Sequence, residues 1–339
     1  MAGTPARAVQ GDRKGRVTEL ELLRPMESRG YPTDYLLARI RGRRLELISD
    51  WRSLTAADSL EVFRSGRYVG VSGSSPEAAV WLKFLTELDW LYRQMEERVR
   101  DSFAPVFFWF ELRTLLVSLR FLRGGDGRKA TEHLATSLLA ERVKRVLTGG
   151  EEANAVVDAL IARLNAVATR SWRLRGIYQD AGAREFEDQL LTLYLEQAAG
   201  AAPHPLIREF FRVLIDMRNL LTLYKRLRWN IGKPPAFVKG GDIGRSRLVE
   251  IAEKGELAEV TQLIHSLPGM GEAPAGRDNL EHLLLGWLTR RARRWGREPS
   301  GTGQILDYVW RCYLEALNLG LLIHGRGMEP ELLAGEVVA

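Results

Sequence analysis

Cysteine is all but missing from this chain: its 339 residues include one, Cys312. That excludes an internal disulfide and any cysteine-built metal cage. Set among Val309, Trp310 and Leu314, Cys312 reads as a buried thiol. Histidine is scarce too. His133, His204, His265, His282 and His324 are scattered, with no pair at a helical metal-ligand spacing, so neither a metal site nor a cofactor is expected. No run of about 18 uncharged apolar residues occurs, so no membrane-spanning helix is expected. The N-terminus mixes Arg7, Arg13, Lys14 and Arg16 with Asp12, Glu19 and Glu21, and no apolar stretch follows, which argues against a secretory signal. Strand-like alternation is rare, and Tyr68-Val69-Gly70-Val71 is the best candidate for it.

Phosphate-binding loops are missing as well. Gly66, Gly70 and Gly73 with Ser72, Ser74 and Ser75 lack the lysine and the strand-loop-helix setting of a P-loop. The stretch reads as a connector ahead of a helix beginning near Pro76. Gly240-Gly241-Asp242-Ile243-Gly244 lacks dinucleotide spacing and reads as a turn.

What is present is an ordinary globular composition, 45% hydrophobic and 27% charged, with a net charge of +6. The charge permits contact with nucleic acid, anionic lipid or an acidic protein without choosing among them. Residues 1–30, rich in Gly, Pro and charge, read as a flexible extension. From Tyr35 onward the apolar spacing is helical almost to the end, so the fold class is all-α. Three helices are sharply delimited. One opens with Pro105 and stops at Gly124-Gly125; one opens with Pro205 and gives way to Asn230-Ile231-Gly232; one runs from about Gln304 to His324. Proline suits a first helical turn, where its missing N–H has no intrahelical partner, and glycine suits the residue after the last turn.

These helices match in register. Glu111-Leu112-Arg113-Thr114-Leu115-Leu116 aligns with Asp216-Met217-Arg218-Asn219-Leu220-Leu221 and with Glu315-Ala316-Leu317-Asn318-Leu319-Gly320. Nine positions after each acid stands Arg120, Lys225 or His324. Arginine precedes two of the acids by four positions, as Arg212 and Arg311. A fainter signal precedes each helix, around Glu87, Glu187 and Glu281. Recurrence at about a hundred residues makes this a domain-scale repeat, with lobes at 31–128, 129–235 and 236–339.

No catalytic constellation emerges. Glu111, Asp216 and Glu315 sit on three different units beside leucines, and a structural role, pairing with arginine at a lobe junction, is expected. Arg290-Arg291-Ala292-Arg293-Arg294-Trp295 could grip phosphates; a solvated helix end, with cations near the negative dipole, explains it more simply.

Several of these segments resemble the C/d subunit family of V-type rotary ATPases. Asp216-Met217-Arg218-Asn219-Leu220-Leu221 through Arg228 is similar to its central helix, and Phe237-Val238-Lys239-Gly240-Gly241-Asp242-Ile243 to the Gly-Gly turn after it. Phe186-Glu187-Asp188-Gln189-Leu190 with Tyr194-Leu195 is similar to the segment before that helix. Tyr313-Leu314-Glu315-Ala316-Leu317-Asn318-Leu319 resembles the family's last helix, and Tyr35 through Arg39 to Arg43 its opening one. Ala38-Arg39 lacks the preceding Asn of the family pattern, and Leu317 and Gly320 replace polar and bulky residues. The resemblance implies a funnel of three helical lobes about a pseudo-three-fold axis. It further implies a non-enzymatic, peripheral subunit on the cytoplasmic face of a membrane, with central-shaft subunits and the proteolipid rotor ring as partners. Neither nucleic acid nor a small-molecule substrate is expected as a partner. The candidate structural or interaction residues are Glu111, Arg113, Asp216, Arg218, Asn219, Glu315, Asn318, Arg39 and Arg43. The alternative reading is a helical scaffold that binds nucleic acid or an acidic protein through basic helix ends.

Overall fold

A computed structural model describes residues 19–56, 66–71, 75–149, 152–232, 235–270 and 279–338. Among them the chain is helical throughout, and β-structure is confined to two isolated bridges, Leu23 with Leu139 and Tyr31 with Met95. Tyr68-Val69-Gly70-Val71 is therefore not a strand: a 3-10 turn over Gly66–Tyr68 runs into a glycine turn at Gly70, φ +75°. Ser72, Gly73 and Ser74 lie outside the described residues, as do residues 1–18.

In chain order the α-helices are α1 (Thr33–Arg44), α2 (Trp51–Ala56), α3 (Pro76–Gln94), α4 (Glu97–Arg123), α5 (Gly127–Leu134), α6 (Glu141–Thr148), α7 (Ala153–Val167) and α8 (Ile177–Asp180). They continue as α9 (Gly182–Ala201), α10 (Pro205–Arg228), α11 (Arg245–Lys254), α12 (Leu257–His265), α13 (Leu280–Trp295), α14 (Gly301–His324) and α15 (Pro330–Glu336). Their starts follow local chemistry. Ser75 accepts from the Ala78 N–H ahead of Pro76, the His204 ring accepts from the Leu206 N–H ahead of Pro205, and Asn279 accepts from the His282 N–H.

Two boundaries differ from those predicted. α4 begins eight positions before Pro105 and carries that proline inside it, because Val99, Phe103 and Ala104 hold the earlier turns against the core. α14 begins at Gly301, where the Ser300 hydroxyl caps the Gly303 N–H. Gly303 is required there, since a Cβ would stand 2.1 Å from the Trp295 carbonyl oxygen. α4 is long and apolar enough by composition to cross a membrane, but 78% of its apolar window is buried inside the protein, which makes it a core helix.

Residues 19–30, read from composition as part of a flexible extension, are instead packed. Leu22 and Leu23 are buried, the Arg24 N–H donates to Leu138 O (2.7 Å), and the Ala140 N–H donates to Leu22 O (2.9 Å). Two adjacent leucines outweigh the charge around them once a groove beside α4 and α7 receives them.

The long helices α4, α10 and α14 meet through aromatic side chains. Trp109 of α4 packs on Phe211 of α10 (6.2 Å between ring centroids), Phe210 of α10 on Trp310 of α14 (6.2 Å), and Tyr313 of α14 on Phe110 of α4 (5.2 Å). Around them, α9 touches α4, α13 touches α10 and α3 touches α14. The first helices of the chain thus lie on its last long helix: α1 and α3 both pack against α14, and α2 against α15. Chain order and packing order are offset.

Candidate functional site

Each long helix carries a buried acid at the repeated position, and each of these three is held by a segment from beyond its own helix. Glu111, Asp216 and Glu315 are 0%, 1% and 3% exposed. Glu111 accepts from the Leu138 N–H (2.7 Å) and the Ser137 hydroxyl (2.6 Å). Asp216 accepts from the Asp242 N–H (3.1 Å) and the Ile243 N–H (3.0 Å). Glu315 accepts from the Ile48 N–H (2.7 Å) and the Tyr68 hydroxyl (2.8 Å), with the Arg67 guanidinium 3.4 Å away. The first two segments follow their helix in the chain; the third comes from the opposite end of the sequence.

Burial dominates the titration of all three. It raises the Glu111 carboxyl against the opposing bonds from Ser137, Leu138 and Thr114. It pushes Asp216 up to about 6 in spite of its two backbone donors. Burial likewise raises Glu315, although Arg67 pulls it down.

The residue three positions after each acid extends the pattern. Asn219 pairs with both backbone groups of Val238: its amide donates to Val238 O (2.9 Å) and its oxygen accepts from Val238 N–H (2.9 Å). Asn318 does the same with Val338, at 2.8 and 3.2 Å. Thr114, at the same place in α4, bonds to Glu111 itself. The Gly-Gly turn between Val238 and Ile243 has a steric cause. Gly240 sits at φ +96°, and a Cβ on Gly241 would lie 2.2 Å from Asp216 Oδ1.

Arginine is the expected partner of these acids, and among the described residues it stands within ion-pair distance of Glu315 alone. Arg212 pairs with Asp242 (3.5 Å) and Arg311 with the buried Asp307 (2.9 Å). Backbone N–H groups satisfy Glu111 and Asp216 without a second buried charge, avoiding its desolvation. The other candidates sit outside these clasps. The Arg113 guanidinium lies 3.8 Å over the Trp81 ring and Arg218 pairs with Asp188 (2.5 Å). Arg39 bonds Gln94 (2.8 Å) and stacks on Trp90 at 5.3 Å.

Arg43 leads to a cluster that sequence reasoning missed. It donates twice to Glu87, at 2.6 and 3.0 Å, and stacks on Trp90 at 4.3 Å. Glu87 also takes the Arg67 guanidinium (3.1 Å) and the Tyr308 hydroxyl (2.9 Å). Burial would raise the Glu87 carboxyl, but the Arg43 bonds and the Arg67 charge hold it below the usual carboxylate range. Arg67 thus bridges Glu87 of α3 and Glu315 of α14 in a buried seam. Cys312 lies fully enclosed beside it, its thiol pushed up to about 12 by burial. In the sequence Glu315, Arg43 and the faint recurrence at Glu87 appear separately, with nothing to join them through Arg67.

The first two arginines of the basic run at the end of α13 are engaged. Arg290 donates to the carbonyls of Gly269 (3.0 Å) and Met270, and Arg291 pairs with Glu209 (2.8 Å) while stacking on Trp287 and Trp295. Among the described residues no group of three or more His, Cys, Asp or Glu side chains is placed to hold a metal ion.

A sequence model of the family described as ATP synthase (C/AC39) subunit matches residues 36–331. Two curated relatives, each named as the C subunit of a V-type ATP synthase and drawn from two strains of Thermus thermophilus, are 26% identical to the chain over 310 residues. The alignment covers 85% of this chain and 92% of each relative.

Proposed function

The chain belongs to the ATP synthase (C/AC39) subunit family, and from that premise we propose that it is the non-catalytic coupling subunit of a V/A-type rotary ATPase. In this reading it is a peripheral subunit on the cytoplasmic face of the membrane. It joins the central-shaft subunits to the proteolipid rotor ring, so that torque passes between them for proton or sodium transport. Its three sister units, 31–128, 129–235 and 236–339, form a socket with pseudo-three-fold symmetry.

The observation that carries this reading is the clasp made three times. Each buried acid grips a segment leading into the next unit, and the third grips the beginning of the chain. A closed cycle of packed helices resists being spread, because a load on one unit passes to the next and packed interiors have low compressibility. The three repeated acids are each enclosed and committed to neighbouring donors, which favours a mechanical role for them over a chemical one. The residues Glu111, Asp216, Asn219, Glu315 and Asn318 would then hold the socket together, while Arg39, Arg43, Arg113 and Arg218 fix its helices to one another.

The test is binding. The purified full-length chain is expected to bind both the shaft subunits and the detergent-solubilised rotor ring of its own organism. Failure to bind either partner, under conditions that assemble a known complex of this class, would overturn the proposal.

A further inference from the structure

We propose that the basic, tryptophan-tipped end of α10 is a membrane contact that takes anionic lipid headgroups. It rests on the preceding reading, which puts the chain beside a membrane, and adds a lipid-facing surface to it.

Three positions of the repeat correspond. Nine residues after its acid, α4 carries Arg120, which is bonded to Glu187 of α9 (2.9 Å from Nε), and α14 carries His324, which meets Glu77 of α3 at 3.1 Å. In α10 the same place is Lys225, exposed, and among the described residues no carboxylate lies within ion-pair distance of it. Among those residues Glu281, at the start of α13, makes no ion pair either, so the helix-end pair that α4 and α14 each make has no described counterpart at α10. Arg226 and Arg228 stand beside Lys225, also with no described carboxylate in reach. Arg228 is steadied by the Tyr224 hydroxyl (2.7 Å), which leaves its charge uncompensated.

The helix then stops at Asn230, which holds the left-handed φ of +47°. Trp229 before it is 62% exposed and Ile231 after it 47% exposed. Every other tryptophan in the chain is buried or half-buried. Cations at a helix C-terminus alone are explained by the helix dipole. An indole and an isoleucine in water beside them are not.

The run from Arg228 to Gly232 is exposed at every residue, so a protein partner would have to bring a pocket for the indole and the isoleucine. A bilayer surface needs none. The indole and the isoleucine enter the headgroup layer while the lysine and arginines stay among the phosphates.

The experiment is co-sedimentation of the full-length protein with vesicles, with no ATPase subunit present. The vesicles are phosphatidylcholine alone or equal parts phosphatidylcholine and phosphatidylglycerol. Binding is expected to the anionic vesicles, falling as salt is raised. Lys225→Glu with Arg226→Glu and Arg228→Glu should lower the partition constant on the order of a hundredfold, at about fivefold for each cation. Trp229→Ser should lower it about tenfold. A control with the same change in net charge, Arg98→Glu with Arg163→Glu and Arg184→Glu, should stay close to wild type, and circular-dichroism melting checks that each variant folds. Absence of wild-type binding overturns the inference, as does an equal loss in the control or an unaffected Trp229→Ser. So would variants that keep vesicle binding but lose the shaft or the ring, which would make this tip a protein contact. None of these vesicle results touches the coupling reading, which stands or falls on binding to shaft and ring.

Discussion

The clasps at Asp216 and Glu315 use the same repeated position in opposite ways. Asp216 takes two backbone N–H groups from a turn 26 and 27 residues away, and among the described residues no cation stands within ion-pair distance of it. Glu315 takes an N–H from Ile48, 267 residues away, and adds Tyr68 and Arg67 to it. Bringing together sites 267 rather than 26 residues apart costs about 2 kcal/mol more in loop-closure entropy. The junction that has to meet that cost is the one reinforced with Arg67, Glu87, Tyr308 and Arg43. A repeat can reuse one side chain at every joint, and the joint that closes the cycle needs more.

The two junctions should respond most unequally to loss of Arg67. Arg67→Met leaves Glu87 and Glu315 buried without their shared cation and should destabilise the protein by about 3–5 kcal/mol. Hydrogen exchange would then rise around Ile48 and Tyr68, while the turn at Asp242 and Ile243 stays protected. Equal loss of protection at both junctions would deny the difference between them.

The next effect is on pH dependence. Asp216 is raised by burial from 3.8 to about 6 in the folded protein. The stability it contributes is full below about pH 4 and is lost as pH rises through about 6, a change of about 2–3 kcal/mol. Asp216→Asn should remove that component, so the stability gap between wild type and variant narrows from acid to neutral pH in denaturant titrations. A constant gap would contradict the assignment.

Smaller losses sharpen the picture. Asn219→Ala and Asn318→Ala each orphan a buried N–H and C=O of a valine and should cost about 1–2 kcal/mol by thermal melting. Thr114→Ala, which frees no backbone group, should cost less than either. Arg120→Ala and His324→Ala remove exposed pairs and should cost about 0.5 kcal/mol or less.

Much of this was legible in the sequence. Helical spacing gave the fold class, and the register of Glu111, Asp216 and Glu315 pointed to the residues that the clasps use. Proline at 205 marked a true helix start because an N–H at that position would have no intrahelical partner to lose. Proline at 105 misled, since tertiary contacts of Phe103 and Ala104 carry the helix through it. The docking of 19–30 was hidden, because Leu22 and Leu23 look like an isolated pair until the groove beside α4 is formed. The Arg67 seam was hidden for a related reason: residues 43, 67, 87, 308 and 315 share no local pattern and meet only after the cycle closes. Backbone donors to Glu111 and Asp216 carry no side-chain signature, so an arginine partner was the natural expectation. Gly241 beside Asp216 is the exception, a glycine whose missing Cβ records the carboxylate it must approach.

The most direct test of the account is ATP-driven ion transport by the reconstituted rotary complex, measured together with ATP hydrolysis. Complexes that lack this chain, or carry Arg67→Met in it, should go on hydrolysing ATP while transport is lost or sharply reduced. Undiminished transport without the chain would contradict a coupling role.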